Sequence, residues 1–519
     1  MQFNRSIGSI ALLFSALGGI VGSGWLFGSL YAAQIAGPAA VLSWIIGGIL
    51  MMVIAITFAE LATTFPVAGG MVRFADYSHG PLMSFTIGWM VWLSSVVVAP
   101  LETMALLQYA GNYIPGIINV SSHSLTAKGI LFATVVMLIL LVLNAYGAKF
   151  FSRASTTIVA IKLIVPVVTL ITLFALDFHA SNFTSVGGFI PSGWHGVFAA
   201  LPLGGVIFSF IGYSPAIQLA GEARNPQRAI PLAIIGSLTF CIFLYTLLQL
   251  AFVGSMKPEY LVNGWQHLSF SGDGGPFAGI LAAFGITWLV VVIYADAIIS
   301  PFGTAYIYTA STARVGYAMS ETKFFPTSLH KLNNFGVPLR ALGLNFVVGM
   351  LLFLPFPGWQ SMVSFIISCF VISYIIGPIA LMSLRKTHSD QKRTFRLPAA
   401  GFMTIVAFYV CNLLIYWTGW QTVSKLLIAI AIGFVVFFYR YFSGKFAPEE
   451  KVWQRAAWLF PYLIGVGVIS YFGAFGGGKN AIPFGYDFIV IAVFSICAYY
   501  VAMISCKIGG RREIEVKVE

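Results

Sequence analysis

Long apolar blocks follow one another along the chain, separated by short connections that carry charge or are rich in proline and glycine. Each block is about as long as the roughly 20 residues with which a helix crosses the hydrocarbon core of a bilayer. We therefore predict an all-α polytopic membrane protein of about fourteen helices. The predicted spans lie at residues 7–35, 38–64, 82–111, 127–147, 155–176, 196–221, 231–254, 277–310, 338–355, 359–384, 401–420, 423–442, 457–475 and 484–506.

Two of the predicted spans are interrupted by residues that a helix interior disfavours. Span 1 contains GGIVGSGWLFG at residues 18–28, although each glycine in a helix costs about 1 kcal/mol relative to alanine. Span 6 contains LPLGGVIFSFIGYSPAIQLAG at residues 201–221, where Pro215 leaves the carbonyl of Ile211 without its helical N–H partner. Interruptions at similar depth, five spans apart, indicate a transporter with inverted repeats and a binding site at the bilayer midplane.

Backbone groups at the two interruptions are the candidate substrate ligands. Non-helical backbone persists in hydrocarbon only where it lines a cavity or binds something polar, because unpaired groups cost several kcal/mol. Amide groups of Gly22, Ser23 and Gly24 would lie at the positive N-terminal end of a half-helix and would bind a carboxylate. Carbonyl groups near Phe208 and Ile211 would accept an ammonium group, so the pair suits a zwitterion. The alternative is that the glycines only let helices pack closely.

Aromatic residues make up 15% of the chain, and most of them are expected to face lipid or neighbouring helices. Two of them lie at the interruptions themselves. Phe210 in span 6 and Trp25 in span 1 are therefore predicted to cap the substrate.

Composition and charge agree with a membrane protein, since 59% of the residues are hydrophobic and 8% are charged. The formal net charge of +12 does not indicate nucleic acid, because the basic residues fall on alternate connections, five lysines excepted. By the positive-inside rule, this pattern predicts a multi-pass protein of the cell (inner) membrane with both termini cytoplasmic. The first span is too long for a signal peptide and is expected to be retained.

Ionisable residues at membrane depth are costly, and each is therefore a functional candidate. Lys162 lies in span 5, about two turns from its cytoplasmic end. Asp296, Ser300 and Thr304 follow one another at four-residue intervals in span 8, so they share one stripe of that helix. The stripe is predicted to face Lys162 and the interruption of span 1. Asp296 is predicted to neutralise Lys162, to carry the proton itself or to bind substrate; a purely structural Asp296–Lys162 pair is the alternative.

Glu102 lies in the outer half of span 3 and is a candidate for substrate binding. Its carboxyl group either titrates with the central site or stays protonated and bonds a neighbouring helix. If Glu102 and Asp296 are both ionised in the pocket, an anionic substrate is repelled unless protons enter with it. Glu60 and Glu222, at cytoplasmic helix ends, are predicted to form gate or packing salt bridges.

Several motifs resemble the amino acid, polyamine and organocation transporter superfamily. They are GGIVGSGWLFG, FAELATTFPVAGG at 58–70, GEARNPQRAIP at 221–231 and the stretch from Arg314 to Pro338. A second set is similar to bacterial aspartate–proton symporter-type permeases: GSGWLF, YSHG at 77–80, DAIISP at 296–301, LPFPGW at 354–359 and SYFGAFGGG at 470–478.

The resemblance implies a five-plus-five inverted-repeat fold with broken helices 1 and 6 and alternating access. Residues 1–176 would form the first repeat, residues 177–384 the second, and residues 385–519 additional C-terminal helices and a cytoplasmic tail. One departure is notable, because many members have Gly-Phe-Glu after the interruption of helix 6, where this chain has Gly212-Tyr213-Ser214. A coupling role for that glutamate does not carry over.

The resemblance also implies a role for Lys162, because a lysine of helix 5 is thought to replace the sodium of sodium-coupled members between helices 1 and 8. Lys162 would bind and release a proton during the cycle, with Asp296, Ser300 and Thr304 beside it. The alternative is a permanently charged lysine that holds the helices together. The assignment of aspartate or glutamate as substrate rests on resemblance, since no arginine within a span could pair a side-chain carboxylate.

These observations together predict proton-coupled uptake of an amino acid, driven by the proton gradient without a cofactor or metal. An exchanger, or a permease for a neutral or cationic amino acid, is the alternative, and a receptor with little flux stays open. The motifs GxxxxGK[ST], HExxH and GxSxG are absent, which argues against a nucleotide-driven pump and a membrane enzyme. The expected partners are the substrate, protons and the lipid bilayer. The cysteine-free loop 112–127 argues against a disulfide-linked partner.

Overall fold

A computed structural model describes residues 7–67, 69–119, 124–146, 148–176, 178–218, 220–268, 270, 275–321, 323–354, 356, 358–443 and 453–507, without the side chains of residues 148–158 and 222. The predicted cytoplasmic tail from residue 508 onward and the side chain of Glu222 lie outside the described residues.

The described residues form helices almost throughout. The α-helices are α1 (Ser9–Ile20), α2 (Ser23–Ala36), α3 (Ala40–Thr64), α4 (Gly70–His79), α5 (Pro81–Ala110), α6 (Ala127–Ala145), α7 (Ala148–Ala175), α8 (Gly193–Leu203), α9 (Ser214–Gln218), α10 (Pro226–Pro231), α11 (Ser237–Gly254), α12 (Pro276–Ala283), α13 (Thr287–Glu321), α14 (Leu339–Leu352), α15 (Trp359–Tyr374), α16 (Ile376–Thr387), α17 (Ala400–Trp417), α18 (Trp420–Phe442), α19 (Leu459–Phe472) and α20 (Tyr486–Ser505).

Every predicted span contains at least one of these helices, which confirms an all-helical multi-pass membrane protein. Within the described residues, ten helical stretches are long and apolar enough to cross a bilayer, or eleven if the bent pair α8 and α9 counts as one span. Predicted span 8 has the wrong boundaries. Helix α12 ends before Gly285, whose φ of +75° interrupts the helix, and α13 then continues to Glu321.

The first predicted interruption separates α1 from α2 at Val21 and Gly22. Gly22 has φ −128° and ψ −145°, a conformation that ends one half-helix and begins the next. The N-terminus of α2 therefore faces the interior of the protein rather than solvent, and Ser23 in its first turn is fully buried.

The second interruption lies slightly earlier than Pro215 indicates. Helix α8 ends at Leu203, and the chain turns at Gly205, whose φ is +77°. A tight 3₁₀ stretch, Phe208–Tyr213, leads into α9, and the two halves are bent by 47°. Pro215 occupies the first turn of α9, where a helix does not use the missing N–H, so it starts a helix instead of breaking one.

The C-terminal helices pack on the remainder of the bundle through polar contacts within apolar surroundings. Asn412 of α17 donates to the hydroxyl of Ser495 in α20 at 2.8 Å and accepts from the hydroxyl of Tyr462 in α19 at 2.6 Å. Helix α18 lies against α5, where the Trp89 ring nitrogen donates to the Ala429 carbonyl at 2.9 Å. In a medium without water, such bonds orient helices that apolar contacts alone would leave free to slide.

Candidate functional site

The two interrupted segments touch through bare backbone. A Cβ atom on Gly212 would collide with the carbonyl group of Gly19 and the amide nitrogen of Ile20. A Cβ atom on Gly19 would likewise meet the carbonyl oxygen of Gly212. Neither residue has a positive φ, so backbone conformation does not require glycine here. The close approach of the two backbones does.

A small cavity lies between the interruptions. Its volume is about 10 Å³, close to the minimum that holds one water molecule. It is lined by residues of both interruptions together with α5, α13 and α15: Gly19, Ile20, Gly22, Val98, Glu102, Phe208, Ile211, Gly212, Thr304, Tyr308 and Phe370. An amino acid exceeds this volume several-fold, so the described conformation is closed around the site and must open to admit one.

A carboxylate of the protein itself lies at the N-terminus of α2. The amide N–H of Ser23 donates to Glu102 Oε2 at 3.2 Å and approaches Oε1 at 3.4 Å. Glu102 is only 1% exposed. The hydroxyl of Ser23 accepts from the ring N–H of Trp359 at 3.0 Å, which fixes the first turn of α2 against α15. The predicted carboxylate site is therefore occupied by the side chain of Glu102.

Lys162 links three helices, as predicted for spans 5, 1 and 8. Its buried Nζ donates to the carbonyl of Gly18 in α1 at 3.2 Å and to the hydroxyl of Thr304 in α13. No carboxylate within the described residues is close enough for an ion pair with Nζ. Lys162 is thus held by neutral oxygens, while Glu102 and Asp296 act on it at longer range.

Asp296 lies on the same buried stripe of α13 but contacts a different part of the site. Its Oδ2 accepts from the ring N–H of Trp25 at 3.2 Å. Its Oδ1 and the hydroxyl of Ser300 have no hydrogen-bond partner in the described part of the chain. Trp25 also stacks on Phe277, with 5.6 Å between ring centroids. The stripe therefore joins two regions, with Thr304 at Lys162 and Asp296 at Trp25.

The carbonyl freed in span 6 has an internal partner. Tyr374 of α15 donates its hydroxyl to the carbonyl of Ile211 at 3.0 Å, and its oxygen lies 2.6 Å from the hydroxyl of Ser214. At the end of α1, Tyr245 donates to the carbonyl of Ile20 at 3.3 Å. Tyr374 thus takes the place that a substrate ammonium group was expected to take at the carbonyl of Ile211.

The two phenylalanines of the second interruption point to different surroundings. Phe208 lines the cavity and meets the Trp359 ring edge-on at 6.0 Å between centroids. Phe210, the predicted cap, packs against Trp44 and Tyr245 and is not among the residues that line the cavity. Of the two, Phe208 is better placed to contact a substrate.

Sequence reasoning missed six residues of the site: Val98, Tyr245, Tyr308, Trp359, Phe370 and Tyr374. Trp359 ends the quoted motif LPFPGW and had a recognisable local pattern. Tyr308 follows Thr304 at the four-residue interval of the predicted stripe in α13, a pattern that could have identified it. The other four lie among apolar residues, where nothing in the sequence distinguishes an inward-facing residue from a lipid-facing one.

Glu60 forms the predicted salt bridge, but with distant partners. Its fully buried carboxylate accepts two hydrogen bonds from the guanidinium group of Arg385, with Nε at 2.8 Å, and forms an ion pair with Arg393, whose Nε lies at 3.4 Å. The backbone N–H of Leu397 adds a third bond at 2.6 Å. The cluster joins α3 to α16 and to the connection that precedes α17. Its residues are not among those that line the cavity.

Known proteins resemble this chain along most of its length. The amino acid permease family matches residues 7–438. The glutamate/serine transporter AimA of Bacillus subtilis (strain 168) is 39% identical over 511 residues, which cover 97% of this chain and 94% of the relative. The aspartate-proton symporter of the same organism is 34% identical over 507 residues, 96% of each chain. Its branched-chain amino acid permease BcaP is 27% identical over 451 residues, 84% of this chain and 93% of BcaP.

Proposed function

The chain belongs to the amino acid permease family and is an amino acid transporter, and we propose that it takes up an acidic amino acid together with protons by alternating access. The names of two relatives support the substrate class, since one is a glutamate/serine transporter and the other an aspartate-proton symporter. The coupling to protons has support from the second name and from the surroundings of Lys162.

One observation carries the proposal: the Lys162 amine is buried between α1 and α13 without an ion pair among the described residues. Burial without a paired acid makes the charged form of an amine costly. Hydrogen bonds donated by a charged ammonium group are roughly twice as strong as those donated by a neutral amine. Loss of the proton therefore weakens the link from α7 to Gly18 and Thr304, and frees α1 to move relative to α13.

The substrate site in this proposal is the N-terminal end of α2. Amide groups of Gly22, Ser23 and Gly24 bind the main carboxylate of the substrate, since a helix N-terminus favours negative charge. Phe208, which lines the cavity and lies beside Gly24, covers the bound amino acid. Opening the contact between Gly19 and Gly212 makes room for it.

Transport into proteoliposomes tests the coupling. We expect the wild-type protein to accumulate labelled aspartate or glutamate about tenfold per pH unit of inward proton gradient if one proton enters per net neutral cycle. Lys162→Ala is expected to lose gradient-driven accumulation while it still exchanges external for internal substrate. Lys128→Ala removes a lysine at the start of α6, whose Nζ contacts the Pro115 carbonyl, and serves as the matched control. Uptake that ignores the gradient but needs internal amino acid would identify an exchanger.

A second substrate class has one specific observation in its favour. The Oδ1 atom of Asp296 is buried, lacks a hydrogen-bond partner among the described residues and belongs to a carboxyl group beside the Trp25 ring. A buried carboxylate with an unused acceptor atom suits an ammonium group, because a charge-assisted hydrogen bond would satisfy both. We expect lysine or serine to compete for uptake if this group binds the substrate, and Asp296→Asn to weaken that competition more than it weakens competition by aspartate.

A further inference from the structure

Glu102 occupies the position at which the substrate carboxylate is expected. Both oxygens of its carboxyl group point at the Ser23 N–H, at 3.2 and 3.4 Å, in the first turn of α2. A Cβ atom on Gly22 would meet Glu102 Oε1 at 2.9 Å and Thr304 Oγ1 at 3.2 Å. Gly22 has no side chain, and the carboxyl group of Glu102 packs against it. The group that makes this contact is the carboxyl group of Glu102, a residue of α5.

Two carboxylates cannot share this N–H group. Two like charges about 4 Å apart repel by about 4 kcal/mol at an effective dielectric constant near 20. A substrate carboxylate therefore binds at the start of α2 only after Glu102 has moved or has become neutral. Protonation does both, because a protonated carboxyl group accepts a hydrogen bond more weakly and loses its attraction to the positive end of the half-helix.

The groups around Glu102 determine how this exchange responds to protons. Lys162 of α7 attracts the carboxylate, and Asp296 of α13 acts on the same lysine at longer range. Tyr308 of α13 and Tyr245 of α11 are the other titratable groups that interact with it. Thr304, which accepts from Lys162, also lies beside Gly22. Displacement of Glu102 from Ser23 therefore changes the electrostatic attraction on Lys162, whose partner Thr304 lies beside the same glycine.

We infer that Glu102 is an internal substitute for the substrate carboxylate, which closes the N-terminus of α2 in this conformation and leaves it, carrying a proton, when an amino acid binds. The inference rests on the proposed function and adds a place where one proton is taken up. It makes substrate affinity depend on the same carboxyl group that closes the site. Lys162 then responds to a change in its neighbour instead of acting alone.

Equilibrium binding to the purified full-length protein tests this competition. We expect the affinity of the wild type for labelled aspartate to fall about tenfold for each unit by which the pH rises, over the range in which Glu102 ionises. Glu102→Gln keeps the shape but never carries charge, so its affinity should be independent of pH and should exceed that of the wild type at least tenfold one pH unit or more above that range. Thr103→Val, on the next residue of α5, should bind like the wild type; its buried hydroxyl has no partner among the described residues.

A second measurement needs no variant. In weakly buffered solution above the range in which Glu102 ionises, the wild type should take up about one proton for each aspartate bound, and Glu102→Gln should take up none. Binding without proton uptake would overturn the inference. A Glu102→Gln protein with lower affinity at every pH would also overturn it, since Glu102 would then contact the substrate directly.

The outcome separates this inference from the proposed function. Every amino acid carries the main carboxylate, so the same titration with serine tests Glu102 if aspartate does not bind. Serine binding with proton uptake that depends on Glu102 would change the substrate of the proposed function and retain the inference. Aspartate transport with unchanged pH dependence in Glu102→Gln would retain the function and discard the inference. Binding of no amino acid at all would contradict both.

Discussion

At the scale of single residues, the interruptions are stabilised by contacts that replace lost helical hydrogen bonds. Tyr374 and Tyr245 donate to the carbonyls of Ile211 and Ile20, which would otherwise be unpaired in an apolar interior. An unsatisfied buried acceptor costs about 1–3 kcal/mol. The side chain of Glu102 does the same for the Ser23 amide. The closed conformation is therefore stable without a substrate group at any of these atoms.

The backbone contact between the interruptions leads to a prediction for Gly212. Gly212→Ala places a methyl group against the backbone of Gly19 and Ile20, and neither can yield without moving α1. We expect transport to be lost and stability to fall by about 1–3 kcal/mol, the usual range for overpacking. Thermal unfolding in detergent and uptake by proteoliposomes measure the two effects.

Gly343→Ala is the matched control for this change. Gly343 lies inside α14 with nothing within 4 Å of an added Cβ atom, so alanine should leave transport intact and stabilise the helix by up to about 1 kcal/mol. Active Gly212→Ala protein of normal stability would mean that the two interruptions do not stay in contact in the membrane.

At the scale of elements, α4 shows how a short helix between two spans is attached to the C-terminal part. His79, its last residue, is fully buried, and its Nε2 lies 3.1 Å from the Ala502 carbonyl of α20. Its ring meets Trp458 edge-on at 6.1 Å between centroids. Burial lowers the pKa of His79 from 6.5 to about 4, and the nearby Arg455 adds a smaller effect in the same direction. Burial therefore favours the neutral imidazole, although the hydrogen bond to Ala502 opposes this effect.

This lowered pKa predicts a loss of stability in mild acid. Between pH 6.5 and about 4 the unfolded chain binds a proton at His79 and the folded chain does not, so each unit of falling pH favours unfolding by up to about 1.4 kcal/mol. His79→Gln keeps an N–H for the Ala502 carbonyl but does not titrate. We expect its melting temperature to fall less than that of the wild type between pH 7 and pH 5. His195→Gln, on a mostly exposed residue, should behave like the wild type; parallel curves for all three proteins would contradict the prediction.

At the scale of the whole molecule, the Glu60 cluster joins parts of the chain that lie far apart in sequence. Its carboxylate in α3 binds Arg385, 325 residues away at the end of α16, and the N–H of Leu397 before α17. The cluster thus connects two of the segments predicted from resemblance, residues 1–176 and 385–519. That division itself stays a prediction.

Removal of the Glu60 charge should destabilise the protein. Glu60→Gln leaves two guanidinium groups without their carboxylate, and removal of one partner of a buried ion pair costs about 3–5 kcal/mol. We expect a smaller loss, because the Arg385 side chain is 17% exposed. Thermal unfolding measures it, with Glu259→Gln on an exposed loop residue as the control. Equal melting temperatures for the two variants would show that the cluster contributes little.

Much of the helical arrangement is readable from local sequence. A stretch of about 20 apolar residues must form helix in hydrocarbon, because only a helix pairs its own backbone groups there. Glycine and proline then mark where that pairing fails, and both interruptions lie within the predicted spans. The three-helix contact of Lys162 also followed from the resemblance. The error at span 8 arose because Gly285 is one glycine among apolar residues, which hydropathy does not distinguish.

The partners of the backbone groups left without helical hydrogen bonds could not be predicted from local sequence. Glu102 lies 79 residues from Ser23, and Tyr374 lies 163 residues from Ile211. Which side chain reaches a given amide or carbonyl depends on the rotation and depth of helices that pack together from distant parts of the chain. Periodicity and hydropathy describe each helix separately and contain no such information. Local sequence thus determines where helical hydrogen bonding is interrupted. Packing determines that Glu102 and the tyrosines bind the backbone groups left unpaired there.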